Sequence, residues 1–525
     1  MPEYLHPGVY IEEIERGPRP IEGVPTSTAA FLGEAERGSI TPRLITSYKD
    51  YLRWFGDVFD PNKFLPYAVS GFFENGGKRM YVCRLVGNNA TTARAAFGND
   101  FTVRAAGPGS WGTRVFAKIE DGTTKNKDGS SVGFALRLAY WTDGKIPFDP
   151  FTKEGRQKLP RPQQIEEFDD LVTDETSPDF YGKRVPFVDL DKGQANQGPE
   201  SSALGVLVRN SGVAAGARPD NNGQVLANGA DDAEVIGSDD FTGNPVDQRT
   251  TEQGLAALEL DPYREVALVY SPNVSTDIAK LIISHCERLR FRFAVIDSEK
   301  GQNSITALDP RSKVQDSEYA AFYYPWIVVA DPRTGARKLI PPGGHVLGVY
   351  ARTDTERGVF KAPANEILRG ALALEFDVND GSQDVLNPRG VNVVRSFPGR
   401  GIRVWGARTI SSNTLWKYVP VRRLFIFLER SIYENTQFVV FEPNDDRLWA
   451  RVVDTIRLFL RAQWRLGALF GRTEQEAFFI TCDRTTMSQD DILNGRLICE
   501  IGIAPVRPAE FVIFRIFQNT AEFQR

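Results

Sequence analysis

Apolar positions along most of this chain alternate between short continuous runs and stripes at helical spacing. The runs at 80–86 (Met80-Tyr81-Val82-Cys83-Arg84-Leu85-Val86), 265–270, 293–297 and 326–329 are β-branched or aromatic-rich and read as buried strands. Between the second and third, Ser275 caps a helix expected over 276–290, with Ile278, Leu281, Ile282, Cys286 and Leu289 on one face. Strand, helix, strand at this spacing is a crossover unit of a partly parallel sheet. Shorter helices are expected over 47–55 and 66–75, and longer ones over 421–435 and 445–465. Together these elements predict an α/β (α+β) core.

Between about 99 and 248 the pattern changes. Gly, Asp, Asn, Ser and Pro separate short β-like runs such as 133–138, and residues 100–245 hold 23 acidic against 16 basic side chains, a net of −7. This segment reads as a mainly β inserted domain with long loops, facing outward, where charge favours solubility. The expected organisation is an extended arm over 1–24, core over 25–98, the insertion over 99–248, core again over 249–505, and a terminal strand arm over 506–525.

The two ends are the unusual part. Val9, Tyr10, Ile11 and Ile14 form a β-prone run tethered by Pro2, Pro7, Pro18 and Pro20. At the other end, Phe511, Val512, Ile513, Phe514, Ile516 and Phe517 are apolar on both faces of a strand expected over 510–518, after Pro505 and Pro508. Such a strand needs cover on both faces and hydrogen-bond partners on its edges. Two pairings are open: docking on the chain's own sheet, or strand addition between subunits.

Composition narrows the chemistry. Of 525 residues, 41% are hydrophobic and 25% charged, and the formal net charge is −5, so nothing pulls the whole chain toward nucleic acid or anionic membrane. No apolar run approaches the roughly 20 residues of a membrane helix, and the first residues carry no signal-peptide pattern, so a soluble chain made in the cytoplasm is expected. Three histidines (His6, His285, His345) and four scattered cysteines (Cys83, Cys286, Cys482, Cys499) offer no metal-binding or redox spacing. The cysteines read as buried free thiols. Gly343-Gly344-His345 and Asp331-Pro332-Arg333-Thr334-Gly335 read as turns, and Gly107-Pro108-Gly109-Ser110-Trp111-Gly112 lacks the ending of a phosphate loop and reads as a tight connection. No cofactor, metal or catalytic site is expected.

Three stretches carry a resemblance. They are Tyr4-Leu5-His6-Pro7-Gly8-Val9-Tyr10-Ile11-Glu12-Glu13 with the following 17–31, then Pro341-Pro342-Gly343-Gly344-His345-Val346 continuing through 350–365, and Cys499-Glu500-Ile501-Gly502-Ile503-Ala504-Pro505 with 508–516. In this order they resemble the tail sheath proteins of contractile phage tails and contractile injection systems. The resemblance covers about the first 95 residues and most of 250–525; the insertion resembles nothing comparable. It implies a subunit of sixfold rings stacked helically around an inner tube, with baseplate and terminal cap proteins as further partners. The terminal arms would then pair in trans, completing a small sheet in another subunit. Contraction would drive the tube through a target envelope, using energy stored in assembly rather than a nucleotide or metal. It also implies assembly in a bacterial cytoplasm as part of a phage tail or phage-like particle, with no nucleic acid partner and no membrane insertion.

Within that picture, Arg447, Arg451, Arg457, Arg461 and Arg465 fall within an arc of roughly 120° on the helix expected over 445–465. Residues 395–465 hold 13 basic against 6 acidic side chains. The stripe is either a solvated face with Asp454 for local pairing or a basic inner surface that grips an acidic tube. Two other classes stay open: an adhesion protein whose insertion binds a host or glycan ligand, and an enzyme on an α/β scaffold.

Overall fold

A computed structural model of the chain describes residues 21–142, 147–185, 188–189, 194–195, 202–210, 212, 216–243 and 253–515. Two compact units emerge, residues 25–423 and residues 1–24 with 424–525. The division falls inside the helix Val419–Asn435.

The larger unit is built on a nine-stranded sheet. Its strands, in chain order, are β1 (Ala29–Gly33), β2 (Arg43–Ile45), β3 (Met80–Arg84), β4 (Leu268–Tyr270), β5 (Phe293–Asp297), β6 (Ala320–Tyr324), β7 (Glu366–Ile367), β8 (Val391–Phe397) and β9 (Gly401–Val404). Their order across the sheet is β7-β9-β8-β6-β5-β4-β1-β3-β2. The six central strands run parallel, from β8 to β3, and the outer pairings at both sides are antiparallel. Parallel strands must be covered on both faces, which explains why β6 and nearly all of β1 and β3 are uncharged and buried; the exception, Arg84 at the end of β3, is buried with carbonyl partners.

Helix α1 (Tyr48–Phe55) starts at Ser47, whose hydroxyl accepts the Asp50 N–H at 3.1 Å, and α2 (Leu65–Glu74) starts with Pro66 in its first turn. Helix α3 (Thr276–Leu289) is capped by Ser275 and buries Ile278, Ala279, Ile282, Ile283 and Cys286 in the main core beside β4 and β5. Helix α4 spans Gly343–Arg357. The reading of Gly343-Gly344-His345 as a turn is therefore corrected: these residues open a buried helix. Close approach of α2 explains it. A Cβ on Gly344 would meet the Ala68 backbone at 2.5 Å, one on Gly348 would meet the Phe72 carbonyl at 2.5 Å, and one on Gly71 would lie 2.0 Å from His345 Nδ1. Glycine on both helices lets the backbones pack at a distance that any side chain would prevent.

Residues 93–226 carry their own sheets: Arg94–Phe97, Phe101–Ala105 and Gly205–Arg209 in one, and Val115–Asp121, Phe134–Tyr140, Gln164–Leu171 and Asn222–Val225 in another. A core separate from that of the nine-stranded sheet lies between them, with Trp111, Leu136, Leu138 and Tyr140 fully buried. The Asp331 carboxylate accepts the N–H groups of Arg333 (2.8 Å) and Thr334 (3.1 Å), closing the turn expected there.

Candidate assembly surface

Among the described residues, exposed apolar side chains are concentrated in one place. Thirteen of the 22 large exposed apolar residues fall within 424–515, among them Phe441, Leu466, Phe470, Phe479 and Leu493. Large contiguous apolar patches are rare on monomeric proteins, and this stretch is where such a surface is to be sought.

Its scaffold is helix α5 (Asp446–Arg465). The Asp445 carboxylate accepts the N–H groups of Arg447 (3.1 Å) and Leu448 (2.9 Å), satisfying two orphan donors of the first turn. Leu448, Trp449, Val452, Thr455, Ile456, Phe459 and Leu460 form the buried face. The five arginines lie on the opposite side, but they are not equivalent. Arg461 donates to the Glu474 carboxylate at 2.6 Å, and Arg457 approaches the same carboxylate at 3.7 Å and Asp454 at 3.4 Å. The hydrogen bond from Arg461 holds the Glu474 carboxyl below its ordinary pKa range. The Arg451 guanidinium lies over the Phe438 ring, 4.5 Å from its centroid. Arg447, Arg451 and Arg465 are exposed, while Arg457 and Arg461 are half-buried.

Beside the helix, Phe478–Thr481 and Glu500–Ile503 (β10 and β11) form a two-stranded antiparallel sheet. Phe479 is directly opposite Gly502, and its ring occupies the space where a Gly502 Cβ would sit, at 2.0 Å. The ring is 58% exposed, so its outer face is open. After β11 the chain continues along 468–470: Phe470 N–H donates to the Ala504 carbonyl (2.8 Å) and Val506 N–H to Ala468 (3.2 Å).

Beyond Pro508 the regular structure ends. Phe511, Val512, Ile513 and Phe514 are 72%, 69%, 78% and 84% exposed and belong to neither helix nor strand. The strand expected over 510–518 is thus not formed within the chain over 510–515, because a strand needs a hydrogen-bonded neighbour to exist. Ile516 and Phe517 lie outside the described residues, as do Val9, Tyr10, Ile11 and Ile14 of the other arm. Glu474, Phe479 and Gly502 were not singled out from the sequence. The short apolar run Phe478-Phe479-Ile480 and the β-branched Ile501 and Ile503 were the available strand signal.

The larger unit holds a cavity of about 400 Å³ lined by Glu34, Glu36, Asp57, Arg84, Asp231 and neighbours. Its charged groups serve the fold. Glu36 accepts the Asp57 N–H (2.9 Å) and the Tyr140 hydroxyl (2.7 Å), and Arg84 donates to the carbonyls of Gly38 and Pro108, both at 2.9 Å. Among the described residues no cluster of His, Cys, Asp and Glu is arranged to hold a metal, and no helix is long and apolar enough to cross a membrane.

Comparison with known proteins bears on the same region. Residues 245–410 match the family model of the phage tail sheath protein central domain, and 411–519 that of the phage tail sheath C-terminal domain. Among curated relatives, the tail sheath protein of Salmonella phage ViI is 24% identical over 286 residues, 48% of this chain and 44% of the relative. That of Burkholderia phage BcepMu is 30% identical over 193 residues, 34% of this chain and 40% of the relative. The chain thus spans less than half the length of these relatives. In fold it resembles the sheath of an extracellular contractile injection system, PVC, in its contracted state (TM-score 0.57, 24% identity, 99% of this chain and 100% of that one). It also resembles the helical sheath of the anti-feeding prophage in its contracted state (TM-score 0.57, 24% identity, 98% and 99%).

Proposed function

The chain belongs to the phage tail sheath family, and from that premise we propose that it is a structural subunit of a contractile sheath. It polymerises as stacked sixfold rings around an inner tube, meets a baseplate at one end and a cap at the other, and shortens to drive the tube through a target envelope. The core over 25–98 and 249–505 forms the ring body, and the insertion over 99–248 faces outward. The arms over 1–24 and 506–525 link subunits, and no catalytic step is involved.

The observation that carries this reading is the exposed apolar run from Phe511 to Phe514. Four consecutive large apolar side chains gain nothing from water, and they sit on a chain segment that has the composition of a strand but no neighbour. The two-stranded β10–β11 sheet, with the open face of Phe479, is the matching acceptor: an added strand supplies backbone hydrogen bonds and side-chain register together. Val9, Tyr10, Ile11 and Ile14 at one end, and Ile516 and Phe517 at the other, complete the proposed linkers.

The arginine stripe is the proposed tube contact. Glu474 neutralises part of it, so Arg447, Arg451 and Arg465 are the charges left to face an acidic tube, with Arg457 and Arg461 held in place behind them. Contacts between exposed charges weaken with salt and can be broken during contraction, as sliding requires. The test is electron microscopy of the purified chain with and without a tube protein, for the native sequence and for Arg447→Glu combined with Arg451→Glu. The native chain should form rings and tubes; persistence as a monomer under all conditions sinks the sheath reading. The double variant should still build empty sheaths but fail to load a tube at low salt. Normal loading would sink the tube assignment alone.

A further inference from the structure

The β10–β11 hairpin has a feature that the sheath role does not use. Its ladder pairs Phe478 with Ile503, Phe479 with Gly502, Ile480 with Ile501 and Thr481 with Glu500. Continued one position beyond the ladder, the same register sets Cys482 opposite Cys499. The type of pair follows from the hydrogen bonds. At the other end of the ladder Ala504 N–H donates to the carbonyl of Ala477 directly opposite, at 2.9 Å, which makes that pair a hydrogen-bonded one. Hydrogen-bonded and non-hydrogen-bonded pairs alternate, so five positions on, Cys482 and Cys499 occupy a non-hydrogen-bonded pair. There the two backbones approach most closely, about 4.5 Å between Cα atoms, at the short end of the range a disulfide spans.

The surroundings favour the pair as well. Cys482 is buried with Leu448, Trp449 and Met487, and Cys499 packs against the same cluster while keeping partial access to solvent. The two thiols are close enough for each to shift the other's titration. Between them, residues 483–498 are independently ordered. Ser488 and Asp491 form a capping box, and the Thr486 hydroxyl donates to the Ile498 carbonyl at 2.9 Å. The loop therefore delivers both cysteines to the hairpin without strain from a disordered linker.

We propose that Cys482 and Cys499 are a redox-controlled staple, present as two thiols in a reducing environment and closing to a cross-strand disulfide in an oxidising one. A low-molecular-weight disulfide is the oxidant. The partly accessible Cys499 loses its proton and attacks one sulfur of that disulfide, forming a mixed disulfide and releasing one small thiol. Cys482 then loses its proton and attacks the Cys499 sulfur, releasing the second small thiol. Two thiol groups lose two protons and two electrons, and one small disulfide is reduced to two thiols. Burial, reinforced by the Cys482 thiol, pushes the Cys499 thiol up to about 12, and burial raises Cys482 too, so closure is slow and the dithiol survives brief exposure. The staple closes a loop of roughly 18 residues in the hairpin to which an arm would add, which removes open conformations and holds the acceptor strands in register. That last consequence rests on the sheath reading; the disulfide itself does not.

The test uses the full chain, unassembled, incubated with oxidised glutathione at mildly alkaline pH. Remaining thiols are then alkylated and non-reduced peptides mapped by mass spectrometry. A linked Cys482–Cys499 peptide is expected, two hydrogen atoms lighter than the separate peptides, with Cys83 and Cys286 alkylated only after denaturation because both are fully buried in the main core. Amide hydrogen exchange of 478–481 and 500–503 should slow by roughly 100-fold on oxidation, recover with a dithiol reductant, and stay unchanged by oxidation in Cys482→Ser. Persistence of free Cys482 and Cys499 overturns the proposal, as does linkage through Cys83 or Cys286, or a link that leaves exchange unaltered. Because the chain is unassembled throughout, none of these results bears on whether sheaths form.

Discussion

Removing residues 511–525 separates the stability of the subunit from the stability of the assembly. In the single chain Phe511, Val512, Ile513 and Phe514 are largely exposed, so deleting them forfeits almost no burial. Surface changes of that kind shift folding stability by no more than about 0.5 kcal/mol. In an assembly the same four side chains would be covered. At about 2 kcal/mol per buried side chain the gross gain is roughly 8 kcal/mol. Ordering four residues costs about 1–2 kcal/mol each. At most about 4 kcal/mol remains, and a link of that strength corresponds to a millimolar dissociation constant. One arm would thus be a weak link, and a lattice would be held because each subunit makes several at once. The truncated chain should therefore unfold at the same denaturant midpoint as the full chain, measured by circular dichroism, yet sediment as a monomer where the full chain forms sheaths. Phe514→Ser should act in between, raising the concentration needed for assembly by roughly 30-fold or more, from the loss of about 2 kcal/mol per link. A truncated chain that loses 2 kcal/mol or more of folding stability would show that the tail docks on its own subunit, and one that assembles at the native concentration would refute the linker role outright.

Two predictions concern the contact of α2 with α4. Gly71→Ala places a Cβ 2.0 Å from His345 Nδ1, so despite the better helix propensity of alanine it should destabilise the chain by about 2 kcal/mol or more in chemical denaturation, and His345→Ala should recover part of that loss. His345 is buried and its Nδ1 has no hydrogen-bond partner among the described residues, so burial lowers its pKa to about 4. A depressed folded-state pKa gives stability that is complete above the unfolded value of about 6.5 and is lost as pH falls through 4, a difference of roughly 3 kcal/mol. His345→Asn should flatten the stability profile between pH 6.5 and 4 by that amount; an unchanged profile would show that His345 is solvated.

What the sequence revealed depended on whether the deciding contact was local. Ser47, Ser275 and Asp445 announce their helices because a cap acts on amides two or three residues away. The Gly343-Gly344-His345 stretch misleads for the opposite reason. Two glycines after two prolines have poor helix propensity, and the helix exists because Gly344 and Gly348 fit against Ala68 and Phe72, nearly 280 residues earlier. The i, i+4 spacing of those glycines was the available signal. The arginine stripe was legible as a periodicity, but its neutralisation by Glu474 was not, since nothing in the helix indicates where the chain returns after residue 465. Cys482 and Cys499 read as unrelated thiols because 16 residues with their own capped helix separate them; only the hairpin register brings them face to face.

The distribution of exposed apolar groups bears on how attachment and release can coexist in one subunit. The large unit, with about four times as many residues, exposes nine large apolar side chains among its described residues, whereas residues 424–515 leave thirteen in water, Phe441, Leu466, Phe470, Phe479 and the 511–514 run among them. Apolar burial does not depend on ionic strength in the way that charge pairing does, and it strengthens in salting-out conditions. Linkers made of such groups, as proposed for the arms, would persist when the proposed tube contacts of Arg447, Arg451 and Arg465 are screened or pulled apart. A subunit that relied on charge for both jobs would come off its neighbours under the same conditions that free it from the tube. One that relied on apolar contact for both would not let the tube slide. On the proposed assignment, the chemical separation of the two surfaces, apolar at the 511–514 run and cationic along α5, is what a sheath that moves without falling apart would require.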